Sequence, residues 1–249
     1  MTKIPQMESN NIKSQNTPDQ IKPPVLDRRL SMVASLVPDH CIPADIGTDH
    51  AFLPSYLVMT GRIKSAIASD IVNGPLQNAI NTVSRYGLKD KIRCILSNGT
   101  QNLSPEDYNT LIIAGMGGEL IRDILSRAEM LEKKTLILQP MTHAEDLRRF
   151  LCAEGFETER ELAVTENKKI YIAFSASYTG CITHRDDIFF HYFGNYPFYD
   201  DIASEQYVRK QIKRLRCRMN GLEHSAAGKD QETETISLIL NDKRLEKFL

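Results

Sequence analysis

Residues 44–54 read ADIGTDHAFLP and set Asp45, Gly47, Asp49 and His50 in close succession between an apolar run and a proline. Carboxylates around a glycine favour a bound cation over a phosphate, and the glycine lets backbone come close to a ligand. The same residues also suit a plain tight turn in which the two acids cap backbone amides. A third acid, Asp70 in IASDIVNGP, follows roughly twenty residues after the glycine, where an acceptor suits the paired hydroxyls of a ribose. The run GMGG at 115–118 lacks the third glycine of a dinucleotide fingerprint, and no GxGxxG occupies the first loop. An acidic loop, a ribose acid and no phosphate cradle together favour a nucleoside carrying positive charge, and S-adenosylmethionine fits that description. His50 and His143 read as polar loop residues rather than acid/base groups.

Such residues need a scaffold that presents loops along one edge. Five short apolar runs, Ile42–Ile46, Ile63–Ala68, Ile92–Leu96, Leu111–Ala114 and Leu136–Leu138, alternate with amphipathic helical patterns, which predicts parallel strands with crossover helices. Two longer β-like runs, 156–164 and 169–178, are separated by a few polar residues and predict a terminal antiparallel hairpin. The fold class expected is α/β, a doubly wound, Rossmann-like sheet. Local punctuation agrees: Asn73 as cap, Pro75 in the first turn and Gly87 at the end of one helix, and a Thr142–Glu145 capping box with Gly155 at the end of another. Pro54 places the start of the first crossover helix near itself and leaves 47–53 as a loop.

Residues 1–25 are polar and Pro-rich, with too few apolar positions to bury a face, and read as a mobile tail. Residues 26–180 form the sheet domain and 181–249 a helical appendage. In the appendage Val208, Ile212, Leu215, Met219 and Leu222 alternate steps of four and three, the seam of a coiled coil, and Leu238, Leu245 and Leu249 continue it on a second helix. Such a seam closes as an antiparallel hairpin within one chain or between two chains. With 249 residues, 41% hydrophobic, the chain can bury a full core. Five scattered cysteines without a CxxC pair argue against structural zinc and against a disulfide scaffold, so no metal is expected. No membrane span or signal peptide is visible, and a cytoplasmic protein is expected. A net charge of −1 requires any polyanion to be met by a local patch.

In this order and spacing, ADIGTDHAFLP, IASDIVNGPLQNA, SNGT, TLIIAGMGGELI and LILQP resemble the bacterial tRNA (adenine-N1)-methyltransferases that modify adenosine 22. The resemblance runs from about Leu26 to Tyr178, and the helical appendage fits it. It implies a class I S-adenosylmethionine-dependent enzyme. Asp45, Gly47 and Asp49 would hold the methionine part, with His50 a further cofactor contact, Asp70 would hold the ribose, and Asn98 and Gly99 would lie beside the adenine. Members often carry Tyr at Phe52, Asp-Gly at Asn98-Gly99 and Asn at Met141, and the last departure bears on how the target base is held.

Adenine N1 has a free lone pair at neutral pH, so its methylation needs alignment rather than a general base. A carboxylate near the base, Asp49 first, would stabilise the cationic product. Gly115, Met116 and Gly117 lie where this fold presents its acceptor, although the run equally suits a tight strand-to-helix turn. Because N1 lies on the pairing edge, the adenosine has to be unstacked, and Phe52 could stack on it. Arg209, Lys210, Lys213, Arg214, Arg216 and Arg218 form a run without an acid among them and are the expected phosphate contacts, with Arg29 as a further one. A charge run also suits a merely solvated face. The rivals to tRNA methylation are a methyltransferase of this fold acting on a small molecule or protein, and a non-catalytic RNA-binding protein.

Overall fold

A computed structural model describes residues 21–182, 184, 186–223 and 230–248. Most of the expected amino-terminal tail, the start of the polar break after Glu223, and Leu249 lie outside these. Seven strands form one sheet: β1 Pro43–Ile46, β2 Ala66–Asp70, β3 Ile92–Leu96, β4 Thr110–Met116, β5 Thr135–Pro140, β6 Phe156–Glu166 and β7 Lys169–Tyr178. Their order is β3-β2-β1-β4-β5-β7-β6, with the first five parallel and the hairpin β6–β7 antiparallel. The expected doubly wound sheet and hairpin are therefore both present.

Parallel strands buried on both faces read as continuous apolar runs, and their alternate residues feed two cores. Ile112 and Ile137 point to the face covered by α1 (Arg28–Leu36), α2 (Phe52–Met59) and α3 (Asn73–Arg85). Leu111, Ile113, Leu136 and Leu138 point to the face covered by α4 (Gly118–Leu125) and α5 (Ala144–Ala153). The remaining helices, α6 (Ile188–Phe193), α7 (Ile202–Glu223) and α8 (Asp230–Leu240), enclose a third core with Ala144 of α5 and Ile172 of β7. No helix among the described residues is long and apolar enough to cross a membrane.

Several local expectations are corrected. Helix α2 begins at Phe52, so Pro54 sits inside its first turn, where a missing N–H costs little. Asn73 is the first helical residue rather than the cap, and the preceding amide, Val72 N, donates to Asp70 Oδ1 at 2.9 Å. The capping box does not form: His143 occupies the cap in a left-handed conformation, and Glu145 turns to Arg214 at 2.8 Å. On α7, Val208, Ile212 and Leu215 are buried as expected and pack against residues of the same chain. On α8 the seam is carried by Ile236, Ile239 and Leu240, while Leu238 is 66% exposed. The phase error arises because α8 is followed by a 3-10 turn, Lys243–Phe248, which breaks the register linking Leu238 to Leu245.

Candidate active site

The chain reverses its lateral direction between β1 and β4, which opens a crevice at their carboxyl ends. Asp45 and Gly47 end one strand and Ala114 and Gly115 the other, and the cleft between them is also lined by Asp49, His50, Phe52 and Arg29. The first loop is fixed from below: Gly47 N and Thr48 N both donate to Ser69 O, at 2.8 and 2.9 Å. Gly47 has φ +71°, a backbone conformation that glycine takes without strain, and the flexible end of Met116 lies against it.

Both buried carboxylates face this loop. Asp45 is 6% exposed and its Oδ2 accepts from Thr48 Oγ1 at 2.7 Å. Burial pushes its carboxyl up to about 6, helped by the nearby charge of Asp70, while the Thr48 hydrogen bond and Arg29 pull the other way. A ligand ammonium would restore the charged form. Asp70, 8% exposed, receives the amides of Asp49 at 3.3 Å and Val72 at 2.9 Å, which orients it across the strand end. Beyond it Ile71 and Val72 are 60% and 55% exposed, an apolar shelf suited to a flat ring. Asn98 is exposed in the next loop, and Gly99, at φ +59°, passes over Ile124.

Asp49 stands at the mouth with its side chain 64% exposed, 3.7 Å from His50 Nε2. The His50 and Phe52 rings stack with centroids 5.1 Å apart. On the opposite wall Gly115 forms a bulge at φ +81°. Its amide donates to Gln139 Oε1 at 3.1 Å, and that oxygen also accepts from Arg29 Nη1 at 3.0 Å. Arg29, expected with the RNA contacts, therefore sits inside the cleft over Gly115. Gln139 is fully buried and was not singled out from sequence; its signal was the QP pair closing an apolar strand. Gly118, also not singled out, carries the tightest packing of the GMGG run: a β-carbon on it would lie 2.2 Å from His143 O. Part of that run is thus a strand-to-helix turn, while Gly115 lines the cleft, the end of the Met116 side chain lies against Gly47 and Gly117 caps α4.

The six basic residues of α7 divide into two sets. Arg209 pairs with Glu205, Arg214 with Glu145 and Arg218 with Glu232, acids contributed from before the run or from other helices. Lys210, Lys213 and Arg216 are exposed and have no ion pair among the described residues.

Residues 26–174 match the methyltransferase-domain family. The tRNA (adenine(22)-N(1))-methyltransferase of Bacillus subtilis is 36% identical over 148 residues, 59% of this chain, and the chain spans 62% of that relative's length. The crystal structure of the B. subtilis m1A22 tRNA methyltransferase TrmK superposes with a TM-score of 0.79 at 27% identity, covering 90% of this chain and 98% of that one. A Streptococcus pneumoniae structure in complex with S-adenosyl-L-methionine is 32% identical, with a TM-score of 0.74 over 87% of this chain and 100% of its own. The chain belongs to the methyltransferase-domain family, in the group that contains the tRNA (adenine(22)-N(1))-methyltransferase of B. subtilis.

Proposed function

We propose that this chain transfers a methyl group from S-adenosylmethionine to N1 of adenosine 22 in tRNA. The observation that carries the reading is that Asp45 and Arg29 line one cleft at the β1/β4 reversal while buried Asp70, at the end of the next strand, accepts the amide of Asp49 from the loop of that cleft. The donor set fits the cofactor: Asp45 for its ammonium, Arg29 for its carboxylate, Asp70 for its ribose hydroxyls, and Ile71 and Asn98 beside its adenine. When bound, S-adenosylmethionine supplies an activated methyl group on a sulfonium. The chain's own contribution is alignment. The Gln139 bridge holds Gly115 and Arg29 together, so the wall that meets the incoming base is pre-organised. Gly115 offers bare backbone to a flat ring, and the His50–Phe52 pair offers a stacking face. Asp49, exposed at the mouth, stabilises the positive charge that develops on the base. Lys210, Lys213 and Arg216 hold the RNA backbone.

Unmodified tRNA transcripts incubated with labelled S-adenosylmethionine, then digested to nucleosides, should yield 1-methyladenosine, and replacing adenosine 22 should abolish it. Cofactor binding without transfer to RNA would move the activity to a small molecule or protein. Asp70→Asn keeps an acceptor for the two loop amides but loses the charge, so it should weaken cofactor binding about tenfold with little change in melting temperature. An unchanged affinity in calorimetry rejects the ribose assignment.

A further inference from the structure

A second cleft opens on the same edge of the sheet, between the loop after β5, the start of β7 and the inner face of α7. It has a volume of about 370 Å³, the size range of small-ligand sites. It lies near the first cleft: Met141, which lines it, donates its amide at 2.8 Å to the carbonyl of Met116, the residue after Gly115 of the first cleft.

Glu145 in its wall is 6% exposed. Its Oε1 accepts from Arg214 at 2.8 Å, whereas its Oε2 is buried without a hydrogen-bond partner. An unsatisfied buried carboxylate oxygen is costly, and a ligand donor that completes it removes the penalty. Around it the cleft is lined by the start of β7, where Ile170 and Ile172 face α7, and at its rim stand Lys169 and Lys210, both exposed and without an ion pair among the described residues. A buried acceptor, an apolar wall and two cations at the rim are complementary to a base edge, the base's flat face and its phosphate.

We propose that this cleft is a nucleotide subsite that takes a neighbour of the methylated adenosine, with guanine the preferred base. Guanine alone presents two adjacent N–H donors, N1–H and N2–H, toward one carboxylate, and a carboxylate's lone pairs accept both while Arg214 remains bound. The assignment to an RNA neighbour rests on the proposed tRNA methylation: exposing N1 disrupts stacking around the target, and the adjoining nucleotide then needs a new partner.

The test separates the subsite from the parent reading. The full chain, saturated with S-adenosylhomocysteine to close the first cleft, is titrated calorimetrically with GMP, AMP, CMP and UMP. GMP should bind most tightly, by about tenfold, and Glu145→Gln should erase that preference while Lys169→Ala weakens every nucleotide. Both variants should keep their cofactor affinity, which shows that they fold. No GMP binding at about 10 mM, or a guanine preference that survives Glu145→Gln, overturns the subsite. In a second arm, transcripts made abasic at each position beside the target are methylated by the wild type and by Glu145→Gln. One abasic position should cost the wild type about tenfold in kcat/KM and the variant far less. GMP binding without any abasic effect overturns the RNA neighbour and leaves a free nucleotide as the occupant. If no tRNA is methylated at all, it is the parent reading that fails, and the GMP titration still decides the subsite.

Discussion

Asp45 concentrates the conflict between stability and function in this cleft. Its carboxyl is lifted to about 6 by burial, against an unfolded value of about 3.9. The native state therefore holds the proton more tightly than the unfolded state between those values. Above pH 6 the folded protein bears a buried charge it would rather neutralise, on the order of 3 kcal/mol at neutral pH. That penalty is relieved as the pH falls through about 6 toward 4. Asp45→Asn should accordingly raise the stability of the ligand-free protein at pH 7, and the gap between variant and wild type should close at lower pH in chemical denaturation. The same substitution should remove most cofactor affinity, and wild-type affinity should fall below pH 6 as Asp45 takes up its proton. A variant that is less stable than wild type at pH 7 would show that the carboxylate is held by stabilising partners rather than merely buried.

At the scale of elements, helix α7 shows what one helix face can do when half its cations are committed elsewhere. Lys213 and Arg216 are free of acids among the described residues, whereas Arg214 serves Glu145. Reversing Lys213 and Arg216 to Glu should weaken tRNA binding and lower the slope of log affinity against log salt by roughly one or more. Reversing Arg209 and Arg218, which already sit on Glu205 and Glu232, should change that slope less; equal effects would mean that these ion pairs open on binding. The same helix marks where sequence reading succeeds and stops. The strands were legible because Ile112, Ile137 and their neighbours are buried on both faces, so apolar runs alone located them. Asp45 and Asp70 were legible because loop position and chemistry coincide in the chain. The pairing of Arg214 with Glu145 was not, because the partner lies 69 residues away and the capping-box pattern gave Glu145 another, local role. The hydrogen bond of Arg29 was hidden for a related reason: nothing near it in the chain announces Gln139, 110 residues on.

Across the whole molecule, the helical appendage is joined to the sheet by a buried charge rather than by apolar contact alone. Arg148 of α5 is fully buried, with Nε and Nη2 at 3.1 and 3.0 Å from Glu161 Oε1 on β6, and Nη1 donating to His191 O on α6 at 3.1 Å. The other oxygen of Glu161 receives the amide of Asn195, and the guanidinium lies over the rings of Phe174 and Tyr196. Gly194, at φ +57°, is the only residue type that fits there, since a β-carbon would lie 2.4 Å from Glu161 Oε1. Removing one partner leaves an uncompensated buried charge, so Arg148→Met should cost about 3–5 kcal/mol, and the double variant Arg148→Met, Glu161→Leu should cost less than either single change. Because Ile172 of β7 and Val208, Ile212 and Ile236 of the helices share one core, the loss should not free the appendage as a separate unit. Urea melts of Arg148→Met followed by helicity and by tyrosine fluorescence, which reports on Tyr192, Tyr196, Tyr199 and Tyr207 of the appendage together with the five tyrosines of the sheet domain, should coincide in a single shifted transition. Two separated transitions would mean that the sheet stands without the helices, and that the shared core and the Arg148–Glu161 pair do not couple the two parts into one cooperative unit.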